Sequence, residues 1–217
     1  DNAGGPIVWV GDRYGVAWQD RRTGDYEVYF TLLDESGNKV LADVRLTDAP
    51  GFSINTTLTW TGTEFVAVWQ DEREGMFDIY GQRISLDGAL LGSNVKMTQA
   101  FSVPNEGPQA AGGLTTIGVA WSLGDPGQRF INFQLFNHDL TPIGQPLSLT
   151  DGTTQAVYPT VAWNQDRYIV AWFDRSANPK AIYGAVLDEN AAILVPPKVL
   201  TQPGPYRSRY PTVKPLG

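Results

Sequence analysis

Tyr14-Gly15-Val16-Ala17-Trp18, Phe65-Val66-Ala67-Val68-Trp69, Ile117-Gly118-Val119-Ala120-Trp121 and Tyr168-Ile169-Val170-Ala171-Trp172 are four versions of one phrase. The closing tryptophans stand 51, 52 and 51 residues apart. Further matches fall at fixed offsets from them. Nine residues earlier come Trp9, Trp60 and Trp163, with Gly112 in the third copy. Two residues later come Asp20, Asp71 and Asp174, with Leu123 as the exception, and eleven later come Tyr29, Tyr80 and Tyr183, with Asn132 as the exception. The pairs Leu46-Thr47, Met97-Thr98, Leu149-Thr150 and Leu200-Thr201 follow at offsets of 28 and 29. Registers held over such distances in four copies define an internal repeat.

Each copy reads as four short strands. In the fourth, Thr160–Trp163 alternates and Asn164-Gln165-Asp166 supplies a turn. Tyr168, Val170 and Trp172 share one face of a second strand, and Asp174–Lys180 is a polar loop. Ala181–Leu187 is a third strand, Asp188-Glu189-Asn190 turns it, and Lys198–Thr201 is a fourth. Period-two alternation, β-branched and aromatic enrichment and Gly/Asn/Asp/Pro punctuation carry this reading. No stretch combines a helical period with helix caps.

A four-stranded unit of this size cannot bury both faces of its own sheet, so neighbouring copies must cover them. Radial repetition of four-stranded sheets is a β-propeller. The expected fold is therefore all-β: a four-bladed β-propeller of four-stranded antiparallel blades forming a single domain over 1–217. The blades are expected at about 5–53, 54–106, 107–157 and 158–209. Tyr210-Pro211-Thr212-Val213 echoes Tyr158-Pro159-Thr160-Val161. Residues 210–217 are read as a strand that closes the ring on the first blade, which removes an unpaired edge. The alternative is the start of a further blade in a five-bladed propeller.

Composition narrows the function classes. The 217 residues carry a net charge of −7, which argues against a nucleic-acid phosphate surface and an anionic membrane surface. No apolar run approaches the ~20 residues of a membrane helix. With no cysteine there is no disulfide framework, thiolate metal site or cysteine nucleophile. A single histidine, His138, excludes a zinc site built from several histidines and argues against Ser-His-Asp chemistry.

Several residues are candidates for a site. Asp20, Asp71 and Asp174 recur at the end of the second strand; carboxylates at one level of a ring are candidate metal ligands. Their structural alternative is to cap the following loop or pair with Arg22, Arg73 or Arg175. Arg22 and Arg73 are candidates for bidentate recognition of a carboxylate or anionic sugar, against a structural role clamping the neighbouring Asp or stacking on Tyr. Tyr158, Tyr206 and Tyr210 lie near Pro-rich stretches and are candidate platforms for a sugar ring. Trp9, Trp60 and Trp163 share a face with Ile7, Leu58 and Val161 and read as packing between blades.

The phrase Trp18-Gln19-Asp20-Arg21-Arg22-Thr23-Gly24-Asp25-Tyr26-Glu27-Val28-Tyr29, echoed by 69–83, resembles a propeller-blade repeat common in large secreted bacterial proteins. Copy three departs from it, lacking the Asp, the Arg and the first Trp. The resemblance implies a secreted or cell-surface location. A four-bladed ring also resembles hemopexin-type domains in architecture, which implies a cation such as Ca²⁺ in a central channel. The carboxylates repeat from blade to blade, whereas a catalytic pair needs unlike environments. The expected function is therefore a non-catalytic extracellular binding or scaffold module without enzyme activity. Its partner would be a glycan, a protein or a channel ion, and the chain a monomer or part of a larger multidomain chain. The alternative is a glycoside hydrolase or lyase using carboxylates at a propeller mouth.

Overall fold

The four copies fold as four four-stranded antiparallel sheets in which spatial order follows chain order, described by a computed structural model over residues 6–99, 102–177, 180–201 and 210–214. The first sheet holds β1 (Ile7–Trp9), β2 (Arg13–Asp20), β3 (Glu27–Asp34) and β4 (Val44–Arg45). The second holds β5 (Ser53–Trp60), β6 (Glu64–Asp71), β7 (Asp78–Ser85) and β8 (Leu90–Lys96). The third holds β9 (Asn105–Gly112), β10 (Thr116–Leu123), β11 (Phe130–Asn137) and β12 (Pro142–Ser148). The fourth holds β13 (Ala156–Asn164), β14 (Arg167–Asp174), β15 (Ala181–Asp188) and β16 (Ile193–Val199). This is the expected all-β set of propeller blades, and no helix among the described residues is long and apolar enough to cross a membrane. The chain divides into two compact units, 1–101 and 102–217, each holding two blades.

The repeated residues have identifiable physical work. In each blade the Leu-Thr pair (Met-Thr in the second) clamps the start of the third strand. The backbone N–H groups of Val28, Ile79, Ile131 and Ile182 donate to the hydroxyls of Thr47, Thr98, Thr150 and Thr201 at 2.9, 3.0, 3.1 and 3.2 Å. Their carbonyls accept from the N–H groups of Leu46, Met97, Leu149 and Leu200 at 2.7–2.8 Å. In the first and fourth blades the turn after the third strand is fixed by an acidic side chain. Asp34 Oδ1 accepts from the N–H groups of Ser36 and Asn38, and Asp188 Oδ1 from those of Asn190 and Ala192, as Asp does when it closes a turn on its own backbone.

Packing between blades rests on matched aromatic triads, one in each unit. In the first unit Phe65 lies 5.3 Å from Phe30 and 4.8 Å from Trp60. In the second Tyr168 lies 5.3 Å from Phe133 and 4.6 Å from Trp163. Gly15 and Gly118 make room for these rings: a Cβ there would fall 2.5 Å from Phe65 Cε1 and 2.6 Å from Tyr168 Cε1. The equivalent positions in the second and fourth blades are Val66 and Ile169. Each unit thus has one glycine face receiving one aromatic ring. Trp60 and Trp163 pack against the cores, as their apolar neighbours predict, whereas Trp9 is 45% exposed beside Tyr14.

Two local readings shift. The last strand of the fourth blade is Ile193–Val199 instead of Lys198–Thr201. Pro196 and Pro197 argue against a strand, but among the described residues β16 pairs only with β15, and an outer edge tolerates missing donors. The first strands of blades two to four begin at Ser53, Asn105 and Ala156, just ahead of the phrase boundaries read from the sequence. Residues 210–214 pair with no strand among the described residues and lie against the fourth blade. Val213 packs on Val157, Ala171, Phe173 and Ile182, and its N–H donates to Thr160 Oγ1 at 3.4 Å.

Candidate functional site

The first strands β5, β9 and β13 share an irregularity. Opposite each of Trp69, Trp121 and Trp172 stand two residues instead of one: Asn55-Thr56, Gly107-Pro108 and Tyr158-Pro159. This is a β-bulge, and its first residue turns into the left-handed region, with φ of 54° at Asn55, 60° at Gly107 and 55° at Tyr158. Tyr210, the next equivalent position, has φ 53°. Asn and Gly accept this conformation readily, whereas a bulky aromatic there is an outlier of the kind that collects at functional sites.

Both tyrosines face outward. Tyr158 is 40% and Tyr210 54% exposed, and their rings stand 4.9 Å apart, tilted by 44°. With Phe173, Arg175 and Lys180 they line a cavity of about 260 Å³. Arg175 Nη2 donates to the Tyr158 hydroxyl at 2.6 Å, and its guanidinium carbon lies 5.1 Å from that ring's centroid. Tyr206, the third tyrosine predicted as a platform, lies outside the described residues.

The predicted arginines are engaged elsewhere. Arg22 holds Asp20 at 2.5 Å and Asp43 at 2.7 Å, and Arg73 holds Asp71 at 2.6 Å. Each also covers its blade's tyrosine, Arg22 at 4.5 Å from the Tyr29 ring and Arg73 at 4.3 Å from the Tyr80 ring. The structural alternative, clamp plus stack, describes both. The Arg22 side chain, then its backbone N–H, draws the Asp20 carboxyl down to about 2. Burial alone would raise Asp71, but donors from Arg73 and Trp69 outweigh it and hold Asp71 below the usual carboxylate value.

The fourth blade breaks this pattern. The position of Arg22 and Arg73 is taken by Ser176, whose N–H and hydroxyl satisfy Asp174 Oδ1 at 2.8 and 2.6 Å. Arg175 therefore does not pair with Asp174 and reaches Tyr158 instead. Neither Arg175 nor Lys180 forms an ion pair among the described residues. Asp20, Asp71 and Asp174 are engaged blade by blade, and no three His, Cys, Asp or Glu among the described residues are grouped to hold a metal ion. The sequence offers Arg175 only as a partner for Asp174, and Lys180 belongs to no repeated register. The signal available is the substitution of Ser for Arg at 176.

No protein-family model matches the chain, and no curated protein sequence matches it. Solved structures do. One is the α-L-arabinofuranosidase PaAbf62A of Podospora anserina in complex with cellotriose, at TM-score 0.58 and 12% identity, covering 91% of this chain and 67% of that one. Another is the catalytic domain of a Coprinopsis cinerea GH62 α-L-arabinofuranosidase, at TM-score 0.58 and 11% identity, covering 90% of this chain and 66% of that one. A third is an exo-β-1,3-galactanase from Clostridium thermocellum, at TM-score 0.61 and 13% identity, covering 87% of this chain and 46% of that one. The chain thus spans about half to two thirds of the length of these structures. At such identities the likeness shows the fold, a β-propeller of four-stranded antiparallel blades.

These comparisons correct the expectation of a non-catalytic module without enzyme activity. The three structures named, each similar over about nine tenths of the chain, are glycoside hydrolases, which favours the alternative reading. Recurrence of the carboxylates suggests that the blades are equivalent. They are not: the fourth blade, where Ser176 replaces the clamp arginine, carries a cleft lined by Tyr158, Phe173, Arg175, Lys180 and Tyr210.

Proposed function

We propose that this chain serves glycoside hydrolysis. The observation that carries the reading is the cleft of Tyr158 and Tyr210, two exposed rings 4.9 Å apart beside the guanidinium of Arg175. Aromatic faces receive the C–H faces of sugar rings, and a few fixed polar groups set orientation. The likeness to hydrolases acting on arabinofuranosides and β-1,3-galactan supports the same class. A secreted or cell-surface location belongs to this proposal, since polymeric glycans lie outside the cell.

Hydrolysis requires two carboxyl groups flanking the scissile bond. Among the described residues, the buried carboxylates Glu27, Glu64, Asp71 and Asp78 each face a cation, namely Arg45, Arg83, Arg73 and Lys96. Asp174 is buried without one and, though not itself a cleft-lining residue, is the sequence neighbour of two that are, Phe173 and Arg175, so it is the carboxylate to test first. The experiment incubates the purified chain with arabinan, arabinoxylan, β-1,3-galactan and pectic polysaccharides and measures released sugar. Release from at least one is expected, with Asp174→Asn slower by about 10²-fold or more. No release from any overturns the proposal. Release that Asp174→Asn leaves unchanged removes Asp174 from the chemistry and leaves the class standing.

A further inference from the structure

We infer that the cleft on the fourth blade selects a carboxylate-bearing sugar, a uronate unit of an acidic glycan. The inference rests on reading the cleft as a sugar site. It starts from charge. The chain carries −7, and the clamp arginines of the first and second blades, Arg22 and Arg73, whose position Ser176 takes in the fourth, are bound to aspartate. Arg175 and Lys180 instead stand together with no carboxylate partner among the described residues. Two cations at one cavity repel each other, and an anion between them relieves that repulsion.

Geometry narrows the anion. Arg175 spends one donor on the Tyr158 hydroxyl at 2.6 Å, which fixes its plane beside the ring and leaves further N–H groups of its fork available. A fork of parallel N–H groups matches a planar carboxylate bidentately. Tyr158 and Tyr210 supply aromatic surface on the same cavity, so the ligand must present an apolar face as well as a charge. A uronate ring has both: axial C–H groups on one face and a carboxylate at C5. The cavity, about 260 Å³, lies below the ~300–1,000 Å³ of drug-sized sites, which suits one sugar unit of a longer chain. Tyr158 sits at the bulge with φ 55°, and its ring lines this cavity.

The test measures binding alone, by isothermal titration of the purified chain with tri-galacturonate, its methyl ester and neutral tri-galactose. Tri-galacturonate is expected to bind about tenfold or more tighter than the ester, equivalent to ~1.4 kcal/mol, with the preference shrinking as salt rises. Arg175→Gln and Lys180→Gln should remove the preference, and thermal melting confirms that each variant is folded. Equal affinity for acid and ester in the unaltered chain overturns the inference without any variant. So does a folded Arg175→Gln that keeps the full preference. Hydrolysis of neutral glycans with no acid preference sinks this inference and spares the proposed function. Acid-selective binding without hydrolysis of any glycan does the reverse.

Discussion

The indole N–H of Trp69 donates to Oδ2 of Asp71 at 2.7 Å, two residues along the same strand. Residues two apart share a strand face, so the marker tryptophan and the aspartate after it form one buried polar unit. Ser53 Oγ adds a donor at 2.9 Å and the Arg73 guanidinium closes the set. Asp71→Asn keeps the shape and removes the charge, leaving Arg73 partly buried without its partner. Breaking such a pair costs several kcal/mol when dry; with Arg73 one-fifth exposed we expect about 2–3 kcal/mol by urea unfolding. In the first blade the Trp18 donor is 3.4 Å from Asp20 and the pair is more exposed, so Asp20→Asn should cost clearly less. Equal losses would show that burial of the clamp is not what matters.

Acid should loosen the first unit over a defined window. Asp20 and Asp71 are both held below their ordinary value in the fold, Asp20 to about 2. A depressed carboxylate contributes stability that is complete above its unfolded value of about 3.9 and is lost as pH falls toward the folded one. Thermal stability should be flat in these groups above about pH 5 and fall between about pH 4 and 2. Arg22→Gln with Arg73→Gln should flatten that fall. An unchanged acid limb in the double variant would assign it to other carboxylates.

The repeat is legible because its markers bear on packing in every copy, and the compensations are not. Copy three lacks the aspartate, having Leu123, yet the Trp121 indole still finds an acceptor in Asn105 at 2.8 Å, from the first strand. Asn105 occupies the position of Ser53, so the polar partner moved across the sheet rather than along the strand. The bulge at Tyr158-Pro159 is hidden for the same kind of reason, since it interrupts the alternation that identifies a strand. Tyr158 and Tyr210 are visible as aromatic residues beside prolines. Arg175 is visible only as a partner for Asp174, and Lys180 is not visible at all, because a reading built on recurrence passes over a residue that occurs once.

Gly118 should resist even the smallest side chain. A Cβ there would lie 2.6 Å from Tyr168 Cε1 and 2.8 Å from Phe133 Cζ, both rings held in the core of the second unit. Overpacking of this kind costs about 1–3 kcal/mol. Gly118→Ala should lower stability by that amount, and the double variant Gly118→Ala with Tyr168→Leu should recover part of it. Tyr168→Leu also removes the hydroxyl contact to Thr116, 2.9 Å from its Oγ1, so recovery must be judged against Tyr168→Leu alone. Additive losses would mean the glycine is not there to admit the ring.

The threonine of the Leu-Thr pair should matter through its oxygen rather than its shape. Thr150→Val is close to isosteric and leaves the N–H of Ile131, a fully buried residue, without its hydroxyl acceptor. An unsatisfied buried donor costs about 1–3 kcal/mol. Thr150→Ser keeps the oxygen and should lose less. Chemical denaturation of the two variants separates these outcomes, and a Val variant as stable as the Ser variant would leave the repeated threonine unexplained.

The backbone at Tyr158 can be tested apart from its ring. Tyr158→Ala and Tyr158→Asn both remove the stacking with Tyr210 and the acceptor for Arg175. They differ in how well they tolerate φ 55°, and the second blade already carries Asn55 at the equivalent position, with φ 54°. If left-handed strain is present, Tyr158→Asn should exceed Tyr158→Ala in stability by about 0.5–1 kcal/mol, part of the ~1–3 kcal/mol that such a conformation costs a residue with a side chain. Both should lose sugar binding equally. A stable Asn variant that binds nothing would mean that tyrosine is kept at a strained position for its surface and not for the fold. Equal stability of the two variants would instead show the bulge to be relaxed and the tyrosine free of conformational cost.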